Sequence, residues 1–265
     1  MMGRLRGWLK GLGAVLIPPL LTLGIIAGIH LAGRHGDEGP TRVATNKPGG
    51  NSSAAATRAS CQWRVSLIGT VAAPTVQARS APSTNAPVVH SFGRHNVQGN
   101  PQVFLLLDAQ PVGHTTWFRA LLPVRPNGTT GFIDGAQLSL ARTPYHLTVS
   151  KEQRRLTLWK GCEAVKTYPV AIGTNTTPTP TGTFYLASLV RPPTANSVYG
   201  TYAFGLSGFS PVIRTWKWGG VIGLHGTNDP SSIGHYTSHG CIRLYNRVID
   251  RLVRILPLGT PISIN

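Results

Sequence analysis

The chain has 265 residues, with 25 Lys and Arg against 8 Asp and Glu, and a formal charge of +17 although only 12% of its residues are charged. Its carboxylates are Asp37, Glu38, Asp108, Asp134, Glu152, Glu163, Asp229 and Asp250, a set too sparse for chemistry that needs several converging acids, such as two-metal phosphoryl transfer or paired-carboxylate glycoside hydrolysis. The length suits about two domains, the 41% hydrophobic content supports a buried core, and the spread positive field suits an acidic polymer: nucleic acid, an anionic membrane surface or an anionic cell envelope.

Residues 1–11 form a short basic segment with Arg4, Arg6 and Lys10. Residues 12–32 carry no charge, are rich in Leu, Ile and Ala, and have the roughly 20 residues needed to span a bilayer. The reading is a single-pass membrane anchor, with a cleaved signal peptide as the alternative. No small-x-small cleavage site stands out near Ala32, and the preceding positive charge places the amino terminus in the cytoplasm. The remaining domains then lie on the extracytoplasmic side, which argues against nucleic acid as a partner.

Residues 33–62 are mostly Gly, Pro, Thr, Asn, Ser and Ala, as expected of a flexible tether. Residues 63–141 hold short apolar runs, Val103 to Leu107, Trp117 to Leu122 and Gly131 to Ile133, divided by Pro, Gly and Asn turns. They predict a small all-β domain. The stretches Ala78 to Pro82 and Asn127 to Ile133 loosely resemble a bacterial SH3-like barrel, with Phe132 where a Trp is common.

From Tyr145 to Asn265 the alternation lengthens and the fold class is mostly β. Arg155 to Trp159 predicts a hairpin with Val165 to Ile172 across Lys160 and Gly161. Val248, Ile249, Leu252, Val253 and Leu256 recur at helical spacing, and Asn246 is placed to cap that C-terminal helix.

The chemistry concentrates between His225-Gly226-Thr227 and Ser238-His239-Gly240-Cys241-Ile242-Arg243-Leu244. Of Cys61, Cys162 and Cys241, at most two can pair within the chain, and Cys241 is the choice for the free thiol. A thiol is only partly ionised at neutral pH, so a nucleophilic Cys needs a base. His225 and His239 both qualify, and spacing cannot choose between them. Gly240 allows a tight turn that exposes backbone N–H groups toward a carbonyl oxygen. Arg243 is either a surface charge or a holder of a substrate carboxylate. Trp216 and Trp218 either line a groove or pack a sheet.

This segment resembles the catalytic signature of L,D-transpeptidases of the YkuD type. The resemblance spans about Tyr145 to Asn265 and includes the sixteen-residue spacing from His225 to Cys241, the Ser238-His239-Gly240-Cys241 block, Arg243, Asn246, and Pro178 to Gly182 followed by Phe184. It implies a YkuD-type β-sandwich, preceded by the anchor, the tether and the SH3-like domain. It further implies Cys241 as nucleophile, His225 as base, and the Gly226 carbonyl as the group that orients the imidazole. His239, Gly240 and Cys241 would supply oxyanion N–H groups, with Ser238, Arg243 and Asn246 around the substrate. Peptidoglycan stem peptides are the implied partner, and no cofactor or metal is required. Val248 stands where the family often has Asp.

Three alternatives stay open. Water or a protein amine can replace the stem amine as acceptor. His225, His235, His239 and Cys241 are conceivable zinc ligands. A non-catalytic wall-binding adaptor would use the SH3-like region and the positive charge. Cys61 and Cys162 either pair or remain free.

Overall fold

The structure, a computed structural model, describes residues 64–194, 196–216 and 219–265. The expected basic segment, membrane span and whole tether, with Cys61 and Trp218, lie outside the described residues. Among the described residues, no helix is long and apolar enough to cross a membrane.

Seven strands make the first sheet: β1 (Ser66–Val71), β2 (Thr75–Arg79), β3 (Val88–Gly93), β4 (Val103–Val112), β5 (Thr115–Leu121), β6 (Thr130–Asp134) and β7 (Leu138–Thr143), in the order β3-β2-β6-β5-β4-β1-β7. Every pairing in it is antiparallel. Alternate residues face a core of Val76, Ala78, Phe104, Phe118 and Ile133, as the period of two requires.

The second unit is an eight-stranded sheet with a two-strand annex. Its strands are β8 (Tyr145–Ser150), β9 (Arg155–Lys160), β10 (Glu163–Pro169), β12 (Gly182–Val190), β13 (Ala203–Phe209), β14 (Val221–His225), β16 (Ile242–Arg243) and β17 (Pro261–Ile264). Their order is β10-β9-β8-β17-β12-β13-β14-β16, while β11 (Ile172–Gly173) pairs in parallel with β15 (Tyr236–Ser238). The core includes Leu147, Leu156, Phe184, Phe204, Leu224 and Ile249.

The predicted hairpin forms between β9 and β10, but it ends at Pro169 rather than Ile172. Beyond Pro169, Ala171 bridges to Arg243 and β11 crosses to β15, so this stretch braces the segment around Cys241 instead of lengthening the hairpin. The predicted helix is α1 (Asn246–Val253), which buries Val248, Ile249 and Leu252. Asn246 does not cap it. Tyr245 occupies the N-cap with no side-chain cap bond, and Asn246 Oδ1 instead accepts a hydrogen bond from the Thr227 amide at 2.9 Å.

The two units meet over a small apolar cluster of Ile68, Val103, Leu105, Leu121 and Tyr185. The Tyr185 hydroxyl, fully buried, donates to the Val103 carbonyl at 3.0 Å, which satisfies a polar group that would otherwise be costly to bury.

Candidate active site

The site is assembled by one parallel strand pairing. β14 and β16 align Leu224 with Ile242 and His225 with Arg243, so Cys241, immediately before β16, stands opposite Gly223. The Gly223 amide lies 3.3 Å from Cys241 Sγ and donates to it. Two residues along the strand, on the same face, comes His225. A Cβ added to Gly223 would sit 3.2 Å from His225 Cδ2 and 3.5 Å from Cys241 Sγ. The Gly223 position thus lies between thiol and imidazole, and a side chain there would be in tight contact with the imidazole.

His225 is buried, and its Nδ1 faces the Gly226 carbonyl at 2.5 Å. A neutral imidazole in that position carries its proton on Nδ1 and leaves Nε2 bare. Tyr199, which sequence reasoning did not single out, sets its ring edge-on to His225 with centroids 5.0 Å apart. His239, the other candidate base, is exposed and packs on Trp216 with centroids 5.2 Å apart.

The turn before the cysteine is over-determined. The Ser238 hydroxyl donates to the Cys241 carbonyl at 2.6 Å and accepts from the Gly240 amide at 3.1 Å. Gly240 adopts φ of +112°, a region that strains any residue with a Cβ. The Gly240 N–H, expected as an oxyanion donor, is thus already occupied; among the described residues, the amides of His239 and Cys241 have no partner. Thr179, from the Pro178 to Gly182 turn, is buried beneath this loop. Its hydroxyl accepts from the Gly173 amide and donates to the Gly240 carbonyl, both at 2.9 Å. Thr179→Val keeps the shape but orphans both groups, so unfolding in urea should show a loss of about 2–4 kcal/mol, while Thr179→Ser retains most of the stability.

Cys241 opens onto a cavity of about 480 Å³, whose walls include Tyr199, Phe204, Trp216, Val221, Gly223 and, from the first sheet's side, Gln98. Among the described residues, no carboxylate lines it. Asp108 pairs with Arg119, Asp229 accepts from Ser231 and Asp250 from Thr201, so these three acids make local contacts elsewhere. Among the described residues, no three His, Cys, Asp or Glu side chains are grouped to hold a metal ion, and His235 is exposed. Cys162 is disulfide-bonded and Cys241 is a free thiol.

A model of the L,D-transpeptidase catalytic domain family, YkuD, matches residues 144–264. The Bacillus subtilis protein YkuD, whose name assigns it to the L,D-transpeptidases, is 36% identical over 152 residues, which make up 55% of this chain and 85% of that protein. The chain belongs to the YkuD L,D-transpeptidase family.

Among solved structures, this transpeptidase-family chain is similar to an L,D-transpeptidase from Mycobacterium tuberculosis H37Rv, at 18% identity, TM-score 0.41, and coverage of 74% of this chain and 92% of that one. It is also similar to the catalytic domain of an E. faecium L,D-transpeptidase acylated by ertapenem, at 22% identity, TM-score 0.35, and coverage of 46% and 98%.

The electrostatics of this YkuD site describe a neutral pair. Burial lowers His225 to about 4, and the nearby Arg243 guanidinium pushes the same way, against the raising effect of the Gly226 hydrogen bond. Burial raises the Cys241 thiol, with the Gly223 amide and Arg243 partly opposing it. At neutral pH the resting site is therefore thiol beside free imidazole, not thiolate beside imidazolium. His225 is left unprotonated, with Nε2 free to accept a proton. Arg243 acts on both groups through space, and its Nε is buried with no protein partner.

Proposed function

We propose that the protein is a cysteine-dependent L,D-transpeptidase that cross-links peptidoglycan stem peptides. The observation that carries this reading is the β14/β16 register, which brings the Cys241 thiol and the His225 imidazole to either side of Gly223, with Nδ1 fixed by Gly226 and Cys241 at the edge of a mostly apolar cavity. The family acts on peptidoglycan peptides, and the shortage of carboxylates agrees with a base oriented by a backbone carbonyl.

In the proposed cycle, His225 Nε2 takes the Cys241 proton as Sγ attacks the carbonyl carbon between the third stem residue and its terminal D-Ala. The amides of Cys241 and His239 receive the developing oxyanion. The C–N bond then breaks, His225 returns its proton to the leaving D-Ala amine, and a thioester remains. An amine on another stem attacks that thioester, passes its proton through His225 and releases Cys241. Arg243 supplies positive charge for the substrate carboxylate, and Asn246 holds the Gly226-Thr227 turn.

In this reading residues 12–32 anchor the chain in the cell membrane, 33–62 form a tether, and 63–141 form an SH3-like module on the wall side. The positive charge then faces an anionic envelope rather than nucleic acid. Incubation with a disaccharide tetrapeptide followed by mass analysis tests the reaction. A cross-linked dimer with free D-Ala supports it. Tripeptide alone makes the enzyme an L,D-carboxypeptidase, and unchanged substrate returns the chain to a non-catalytic adaptor.

A further inference from the structure

The cavity above Cys241 is walled on one side by Trp216 and Gly220, both from the segment Ser210 to Gly220, of which residues 217 and 218 lie outside the described residues; Trp216 also packs on His239. This segment contains no regular strand among its described residues, and its position has to come from elsewhere. Part of the support is internal. The Ser210 amide donates to the Gly220 carbonyl at 2.8 Å, and the Ser210 hydroxyl accepts from the Ile213 amide at 3.0 Å.

The rest comes from the first β unit. The Arg125 guanidinium donates to three carbonyls of this one segment: Ser210 at 3.0 Å, Ile213 at 3.2 Å and Gly219 at 2.9 Å. It also lies 4.9 Å from the centre of the Phe209 ring. Two residues on, Asn127 exchanges hydrogen bonds with the Phe209 backbone at 2.8 and 2.9 Å. A planar fork that gathers three carbonyls from both ends of a segment holds those ends together in a way that a point charge cannot.

We infer that Arg125 is a positioning residue for acyl transfer: from the first β unit, it holds the Ser210 to Gly220 segment so that Trp216 walls the Cys241 cavity. The first unit is then part of the catalytic apparatus rather than only a module beside it. The kinetic consequence rests on the acyl-transfer reading above, because displacing a wall of the substrate cavity by about 1 Å can cost up to about a hundredfold in rate.

The test uses the full chain with Arg125→Ala, Arg125→Lys, Trp216→Ala and the double variant Arg125→Ala/Trp216→Ala. Tyr185→Phe serves as a control, since it removes an inter-unit hydrogen bond in which no residue of the segment takes part. Two rates are measured: acylation of Cys241 by a carbapenem, and alkylation of Cys241 by iodoacetamide, each followed by intact mass. Arg125→Ala should slow acylation about tenfold or more and speed alkylation several-fold. In the Trp216→Ala background the same change should matter less than about threefold, because the two residues act through one element. Arg125→Lys should fall between, and Tyr185→Phe should leave both rates unchanged.

Equal acylation losses in both backgrounds, or wild-type rates in a folded Arg125→Ala or Arg125→Lys protein, would overturn the inference. If Arg125→Ala does not fold, the lysine variant decides alone. If the wild type accepts no acyl group, the acyl-transfer reading fails, while the alkylation rates still report whether Arg125 positions the wall.

Discussion

Exposure to a carbapenem should add one acyl mass to the wild-type chain and none to Cys241→Ser. A strained lactam carbonyl is a donor for the same thioester-forming step as the stem peptide, and the only free thiol among the described residues is Cys241. Serine keeps the size and the Gly223 contact, so the fold should survive. A hydroxyl is far harder to ionise than a thiol, however, and the surrounding burial already opposes charge at this position. The acylation rate should fall on the order of a thousandfold or more. An adduct on both proteins would sink the assignment, and an adaptor would keep its binding function in Cys241→Ser.

The second large effect belongs to His225. Its replacement by Ala should lower acylation on the order of a hundred- to ten-thousandfold, the range supplied by a positioned general base. His235→Ala, at an exposed position, should leave it unchanged. Equal losses would revive a metal-based site, as would activity lost to a chelator and restored by zinc.

The same residue determines the acid response. With His225 lowered to about 4, the base stays unprotonated from pH 7 to about pH 5, so acylation should hold across that range and fall as pH approaches 4. Stability moves with it. The unfolded chain binds this proton near the ordinary value of about 6.5, while the folded chain does so only near 4. Between those values the unfolded state holds more protons, so stability must drop as pH falls from 6.5 toward 4, by up to about 3 kcal/mol. Thermal midpoints measured over that window should fall more for wild type than for His225→Gln. Parallel curves would mean that the imidazole titrates like an exposed one.

Much of this protein was legible in the linear chain because the relevant signals are local. Short apolar runs marked β4, β5 and β6, alternation marked the β9 and β10 hairpin, and helical spacing at Val248, Ile249 and Leu252 marked α1. The His-Gly-Cys block carried a free thiol in a turn that needs glycine, while the poverty of acids excluded carboxylate chemistry. Family membership for residues 144–264 agrees with what those motifs implied.

Other features were settled only by contacts between distant segments. His225 and His239 are equally plausible bases by spacing, but the parallel register of β14 and β16 buries His225 beside the cysteine strand and leaves His239 exposed against Trp216. Asn246 has the chemistry of a helix cap, yet the approach of Thr227 gives it a stronger local use. The Gly240 amide is claimed by Ser238 through a turn geometry that composition does not encode. Arg125 reaches carbonyls 85 to 94 positions away in the chain, and no local pattern announces such a pairing. Sequence by itself determined which chemistry is available, because residue type and short-range periodicity are local properties. Which groups meet, which are already occupied and which are desolvated was decided by tertiary structure, because register and burial arise only when strands far apart in the chain pack together.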